Sequence, residues 1–139
     1  MITVRGAEEL RRLEEASRVV LETLDRVERS VEPGITTGEL DRIAEEEIRR
    51  LGARPAFLGY RGYPKSLCTS INDEVVHGIP GKRALREGDI LGIDCGAVVE
   101  GYYGDAARTV AVGRIGAERE ELLRVTREAL AAGIAAACP

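Results

Sequence analysis

The chain is poor in the residues that most often announce a chemistry: its 139 residues include one histidine, one phenylalanine, one methionine, three cysteines and no tryptophan. Cys68, Cys95 and Cys138 are odd in number, widely spaced and free of any C-x-x-C pattern. That excludes a disulfide framework and a structural zinc site, and leaves reduced thiols. With a single histidine there is no second one to build a conventional Cys-His pair beside a histidine metal ligand, and Cys95 reads as a small buried hydrophobe. No apolar run approaches the roughly 18 residues that span a bilayer. The N-terminal region, rich in Glu and Arg from Glu8 onward, lacks the apolar core of a signal peptide. The expectation is a cytoplasmic protein with no membrane partner. A net charge of −4 argues against nonspecific nucleic-acid binding, and Lys82, Arg83 and Arg86 read as a solvated loop rather than a phosphate track, so no nucleic-acid partner is expected. Low-complexity linkers and internal repeats are also missing.

What is present describes one globular domain over residues 1–139, with 44% apolar and 32% charged residues and enough length to bury a core. From Ala7 onward, Leu10, Leu13, Val20, Leu21, Leu24, Val27 and Val31 fall near helical spacing, with Pro33-Gly34 as the stop. Thr36-Thr37-Gly38-Glu39 fits a capping box. Leu40, Ile43, Ala44, Ile48 and Leu51 then make the buried stripe of a second helix, which Gly52 closes. Residues 53–65, ARPAFLGYRGYPK, read as an ordered loop. SLCTSI and VVHGI read as short strands around the turn Asn72-Asp73-Glu74. A third amphipathic helix runs from Gly116 to the end through Leu122, Leu123, Thr126, Ala129, Leu130, Gly133, Ile134 and Ala137. The order predicts an α+β domain with helices on one face of a mainly antiparallel sheet.

Between these elements lies GDILGIDCGAVVEGYYGDAARTVAVG, residues 88–113, which reads as a hairpin carrying an aspartate in each strand. If Glu100-Gly101 is the two-residue turn, opposed residues have numbers summing to 201. Asp94 then faces Ala107 and shares a face with Asp105, its diagonal neighbour. Gly92, Gly96 and Ala107 leave room around the acids, while a one-residue change of loop would separate them. At about 6 Å and an effective dielectric near 20, two carboxylates repel by roughly 3 kcal/mol, or about two pKa units. A divalent cation reverses that sign, and oxygen donors suit manganese, cobalt, iron(II), magnesium or zinc. Spacing alone does not choose between a metal site and two acids facing solvent. His77, in SINDEVVHGIP, is by type a surface or hydrogen-bonded residue, yet its short strand could deliver the imidazole to the edge of the aspartate-bearing sheet.

These residues carry a resemblance. GYRGYPKSLCTSINDEVVHGIP followed by EGDILGIDCGAVVEGYYGDAARTVAVG resembles the first half of a bacterial type I methionine aminopeptidase, over essentially the whole chain. The aspartate hairpin alone is shared with the wider creatinase and prolidase superfamily. The resemblance is to the simple form without an N-terminal zinc-finger extension. It implies half of a pita-bread fold and removal of the N-terminal methionine from peptides or nascent chains. It also implies a dinuclear centre of cobalt, manganese, iron(II) or zinc, in which Asp94 chelates one ion and Asp105 bridges both. His77 would hydrogen-bond the substrate at the scissile amide. Tyr60, Tyr63 and Cys68 would line the methionine pocket, with Phe57 standing where many relatives have a smaller residue. The family's later half supplies the histidine and glutamate ligands and a second substrate-binding histidine, so only Asp94 and Asp105 of the metal set are present. A half-fold of this kind is expected to pair with a missing C-terminal half or to form a homodimer. The alternative function is a non-catalytic half-domain that binds or assembles.

Overall fold

The first helix, α1 (Ala7–Glu28), stops short of Pro33 and buries Ala16, Val19, Val20, Thr23, Leu24 and Val27. Leu10 and Leu21, counted above in its apolar stripe, face solvent instead. In this computed structural model, which describes residues 4–137, the second helix, α2 (Thr37–Arg50), begins at the predicted capping box. Thr36 Oγ1 accepts the Glu39 N–H at 3.2 Å, and Glu39 Oε2 accepts the Thr36 N–H at 2.8 Å. Two of the helix's orphan donors are thereby satisfied. Gly52, at φ +78°, turns the chain out of the helix in a conformation that favours glycine.

The sheet is antiparallel throughout. Its centre is β3 (Ile90–Val99), whose whole length pairs with β4 (Tyr102–Ala111) in the register Asp94↔Ala107, Gly96↔Asp105 and Val99↔Tyr102. Glu100 and Gly101 sit at φ +48° and +88°, the left-handed pair that a type I′ turn requires. The other edge of β3 is shared by β2 (Leu67–Ile71), opposite residues 91–95, and the two-residue β1 (Arg54–Pro55), opposite Ala97 and Val98. Because side chains alternate, Leu91, Ile93, Cys95 and Ala97 point with Leu67, Ile71 and Val110 into one core. There they meet Val20, Leu24, Leu40, Ala44 and Ile48 of the two helices. Asp94 and Asp105 take the opposite face, so the two helices support the sheet from behind and leave the acids on its open side.

One expectation is corrected. VVHGI is not a strand: Asn72 and His77 hold φ +56° and +62°, which breaks an extended run, and Val75 is 90% exposed. A single ladder-like bond survives, from the Thr69 N–H to the Gly78 carbonyl at 2.8 Å. The third helix, α3 (Ala117–Ala136), forms as predicted but buries none of its residues; Leu122, Val125, Leu130 and Ile134 are all exposed. Its periodic stripe is real and uncovered within the described residues. Cys138 lies outside them.

The turn that feeds β3 carries a testable electrostatic dependence. Asp89 accepts from Asn72 Nδ2 at 2.8 Å and from the Arg86 N–H at 2.9 Å, while the Ile90 N–H donates to Asn72 Oδ1 at 3.0 Å. Burial works to raise the Asp89 pKa, but those two bonds, helped by the charges of Arg83 and Arg119, outweigh it and hold the carboxyl below its ordinary value. An acid depressed in the fold stabilises it above the unfolded pKa, and that contribution is lost as pH falls through the folded pKa. Asp89→Ala is therefore expected to cost about 1 kcal/mol at pH 7, a figure kept small by solvent screening. The gap to wild type in urea melts is expected to close below about pH 4; a gap independent of pH contradicts the assignment.

Candidate active site

The open face of the sheet is built from small residues around two acids. Asp94 on β3 and Asp105 on β4 are diagonal neighbours, since Asp94 pairs with Ala107 and Asp105 with Gly96. Asp105 is exposed and Asp94 half-buried. Asp94 Oδ1 is buried without any hydrogen-bond partner, which is costly for a carboxylate oxygen. Burial raises the Asp94 pKa, and the charge of Asp105 raises it further; His77 and the N–H of Cys95 oppose these effects without cancelling them. A cation or a proton held at this carboxylate would offset both effects. Among the described residues, however, no cluster of three or more His, Cys, Asp or Glu side chains is arranged to hold an ion. As oxygen donors, the two carboxylates fit part of a hard-metal ligand set.

The surrounding side chains arrive from two loops and β2. Cys68 pairs directly opposite Asp94 and is buried at 6% exposure. Burial is the main cause that raises its thiol pKa, with the charges of Asp94 and Asp105 adding to it and the Tyr63 hydrogen bond opposing. Cys95 points the other way, into the core, and its thiol is pushed up to about 12 by burial and then by the two aspartates. That agrees with its reading as a small hydrophobe. The Tyr63 hydroxyl donates to the Leu67 carbonyl at 2.8 Å and reaches the Gly78 carbonyl at 3.4 Å, so it ties the loop of residues 56–65 to the His77 segment. Its phenol is raised by burial and by its bond with Cys68. The Phe57 ring covers Gly96: a Cβ built there would lie 2.7 Å from Phe57 Cε1.

Not every expected residue converges. Tyr60 is exposed and stacks under the Arg61 guanidinium, 5.4 Å from the ring centroid. His77 is exposed but close enough to influence the ionisation of Asp94. It is held there by Gly78, whose Cβ, if it had one, would stand 2.1 Å from the Thr69 carbonyl oxygen. Only glycine lets the backbone approach β2 this closely. Sequence reasoning missed Asp41, a buried carboxylate of α2 bonded to the N–H groups of Ser66 and Leu67 at 2.8 and 3.0 Å. The available signal was a charge adjoining the buried stripe at Leu40.

Comparison with known proteins agrees with the fold. A model of metallopeptidase family M24 matches residues 11–139. The chain is 49% identical over 135 residues to the methionine aminopeptidase of Clostridium acetobutylicum, covering 96% of this chain and 54% of that protein. The crystal structure of methionine aminopeptidase from Rickettsia prowazekii superposes with a TM-score of 0.90 at 38% identity, over 93% of this chain and 52% of its own. The prolidase of Pyrococcus furiosus, with a TM-score of 0.80 at 22% identity over 91% of this chain and 36% of its own, shares the fold. The chain spans about half the length of the curated relatives it matches.

Proposed function

The chain belongs to metallopeptidase family M24, and from that membership we propose that it is the N-terminal half of a cytoplasmic methionine aminopeptidase, which removes the first methionine from peptides and nascent chains. The observation that carries the reading is the open-faced pair Asp94 and Asp105, with one Asp94 oxygen buried and unpartnered. These two residues would hold the divalent ions, of which manganese, cobalt, iron(II) and zinc all accept such donors. A bound ion would supply Lewis acidity and a water of lowered pKa. His77, on its glycine-pinned segment, would donate to or accept from the scissile amide. Cys68, Tyr63 and Phe57 would receive the methionine side chain in a wall of low polarity, with Tyr60 at the rim. The further ligands would come from sequence beyond these residues.

Two measurements test this. With manganese present, L-methionine at several times its Kd is expected to slow alkylation of Cys68 by at least ~threefold, with L-lysine inert; equal rates would remove the pocket. Release of methionine from a Met-Ala-Ser peptide, by this chain alone and by the chain completed with a C-terminal half, reads the activity itself. A second reading is favoured by one observation, the uncovered stripe of α3. A non-catalytic half-domain that pairs with a C-terminal half or with itself would need such a surface. Peptidase activity in the completed protein would exclude it.

A further inference from the structure

We infer that Asp41 is the positioning residue for the wall formed by Tyr63 and Cys68, an inference that rests on reading this wall as the seat of the substrate side chain. Asp41 lies in the second turn of α2 and is 4% exposed. A carboxylate drawn this far out of water needs compensating donors. It has three. Oδ1 accepts the N–H groups of Ser66 and Leu67, and Oδ2 stands 3.3 Å from Lys65 Nζ. The carboxylate does not serve its own helix. It leaves α2 and holds a turn roughly two dozen residues further along the chain, where Ser66 and Leu67 are themselves fully buried.

Leu67 is the pivot of the arrangement. Its N–H is held by Asp41, while its carbonyl accepts the Tyr63 hydroxyl. The next residue, Cys68, faces Asp94 across the sheet. One residue, through the two peptide groups that flank its Cα, therefore links the helix carboxylate, the phenol and the thiol. The rotamer of Tyr63 and the depth of Cys68 both depend on where that residue stands. Helix α2 is anchored independently, through Leu40, Ala44 and Ile48 in the core, so it offers a fixed point from which Asp41 can place the end of a loop that contains two glycines and a proline.

The test uses the intact chain without ligand and reads iodoacetamide alkylation of Cys68 and Cys95 separately by peptide mass spectrometry. Cys95 is buried in the core behind the sheet and reports general loosening. In Asp41→Ala two buried N–H groups lose their acceptor, so local opening at Leu67 is expected to become about tenfold more frequent. Cys68 alkylation should rise by that factor while Cys95 changes less than ~twofold. Asp41→Asn, which retains a carbonyl oxygen for the two N–H groups, is expected to restore the wild-type rate. Should the alanine variant fail to fold, Asp41→Glu keeps the charge but displaces its oxygens by a methylene, and it should raise Cys68 selectively as well. Equal acceleration of both cysteines, or Cys68 rates unchanged in both the alanine and glutamate variants, overturns the inference. Methionine protection of wild-type Cys68 is measured without any substitution, so the pocket reading and the role of Asp41 can fail separately.

Discussion

Asp94→Asn is expected to weaken manganese binding by at least ~tenfold and, in the presence of a chelator, to make the metal-free chain more stable. The two effects have one origin. The carboxylate that would bind the cation is partly buried, has an oxygen without a partner, and faces the charge of Asp105. An asparagine removes the charge and keeps the shape. The gain should be about 0.5–1 kcal/mol, since the open face lets water screen much of the repulsion. Its pH dependence has a definite sign. A carboxyl whose folded pKa is raised destabilises the fold only when ionised. The advantage of the variant should therefore be absent below the unfolded value near 4 and develop fully above the folded one. This is opposite to Asp89, whose depressed pKa makes the wild type lose stability on acidification. Denaturant melts of both proteins across pH 3–8, with chelator, check the sign, and calorimetry with manganese checks the affinity. A variant that binds manganese as wild type does would remove Asp94 from the metal site.

The second large effect lies behind the sheet. Gly104 of β4 faces α1, and a Cβ built there would stand 2.5 Å from both the carbonyl carbon and the oxygen of Ala16 and 2.7 Å from the Ser17 nitrogen. All three are backbone atoms and cannot rotate away. Gly104→Ala is expected to cost about 3 kcal/mol, at the upper end for overpacking, because the helix itself must lift from the sheet. Gly104→Val should largely prevent folding. The alanine variant should also loosen the Arg108 bridge to Asp25 and Glu28, which joins the same strand to the same helix. Urea unfolding with circular dichroism measures the loss, and a cost below about 1 kcal/mol would show that α1 does not rest on this contact.

These two sites also show what can be read from residue order. The hairpin was legible because Glu100-Gly101 admits a tight primed turn, and once the turn is set the pleat dictates every pairing, including the diagonal of Asp94 and Asp105. The start of α2 was legible because a capping box is local chemistry, complete within four residues. VVHGI misled because β-branched residues favour strands in general, whereas here Asn72 and His77 adopt left-handed backbone and Gly78 packs against Thr69. Those causes are tertiary. In α3 the apolar period correctly indicated a helix, but a period does not say what covers the stripe. The partial wall followed the same division. Cys68 is placed by strand register, whereas Tyr63 depends on a carboxylate more than twenty residues earlier, and Tyr60 turns outward to Arg61. No spacing rule connects Asp41 to Leu67.

Manganese titrated into the isotopically labelled chain, with paramagnetic broadening followed at each backbone amide, addresses the metal site most directly. The arrangement predicts that Asp94, Gly96, Asp105 and Cys68 lose their signals first, together with the His77 segment, and that Asp94→Asn abolishes this pattern. Broadening that begins instead along the glutamate-rich outer faces of α1 and α2, with the aspartate hairpin unchanged at the same manganese concentration, would contradict the assignment of a metal centre to this face.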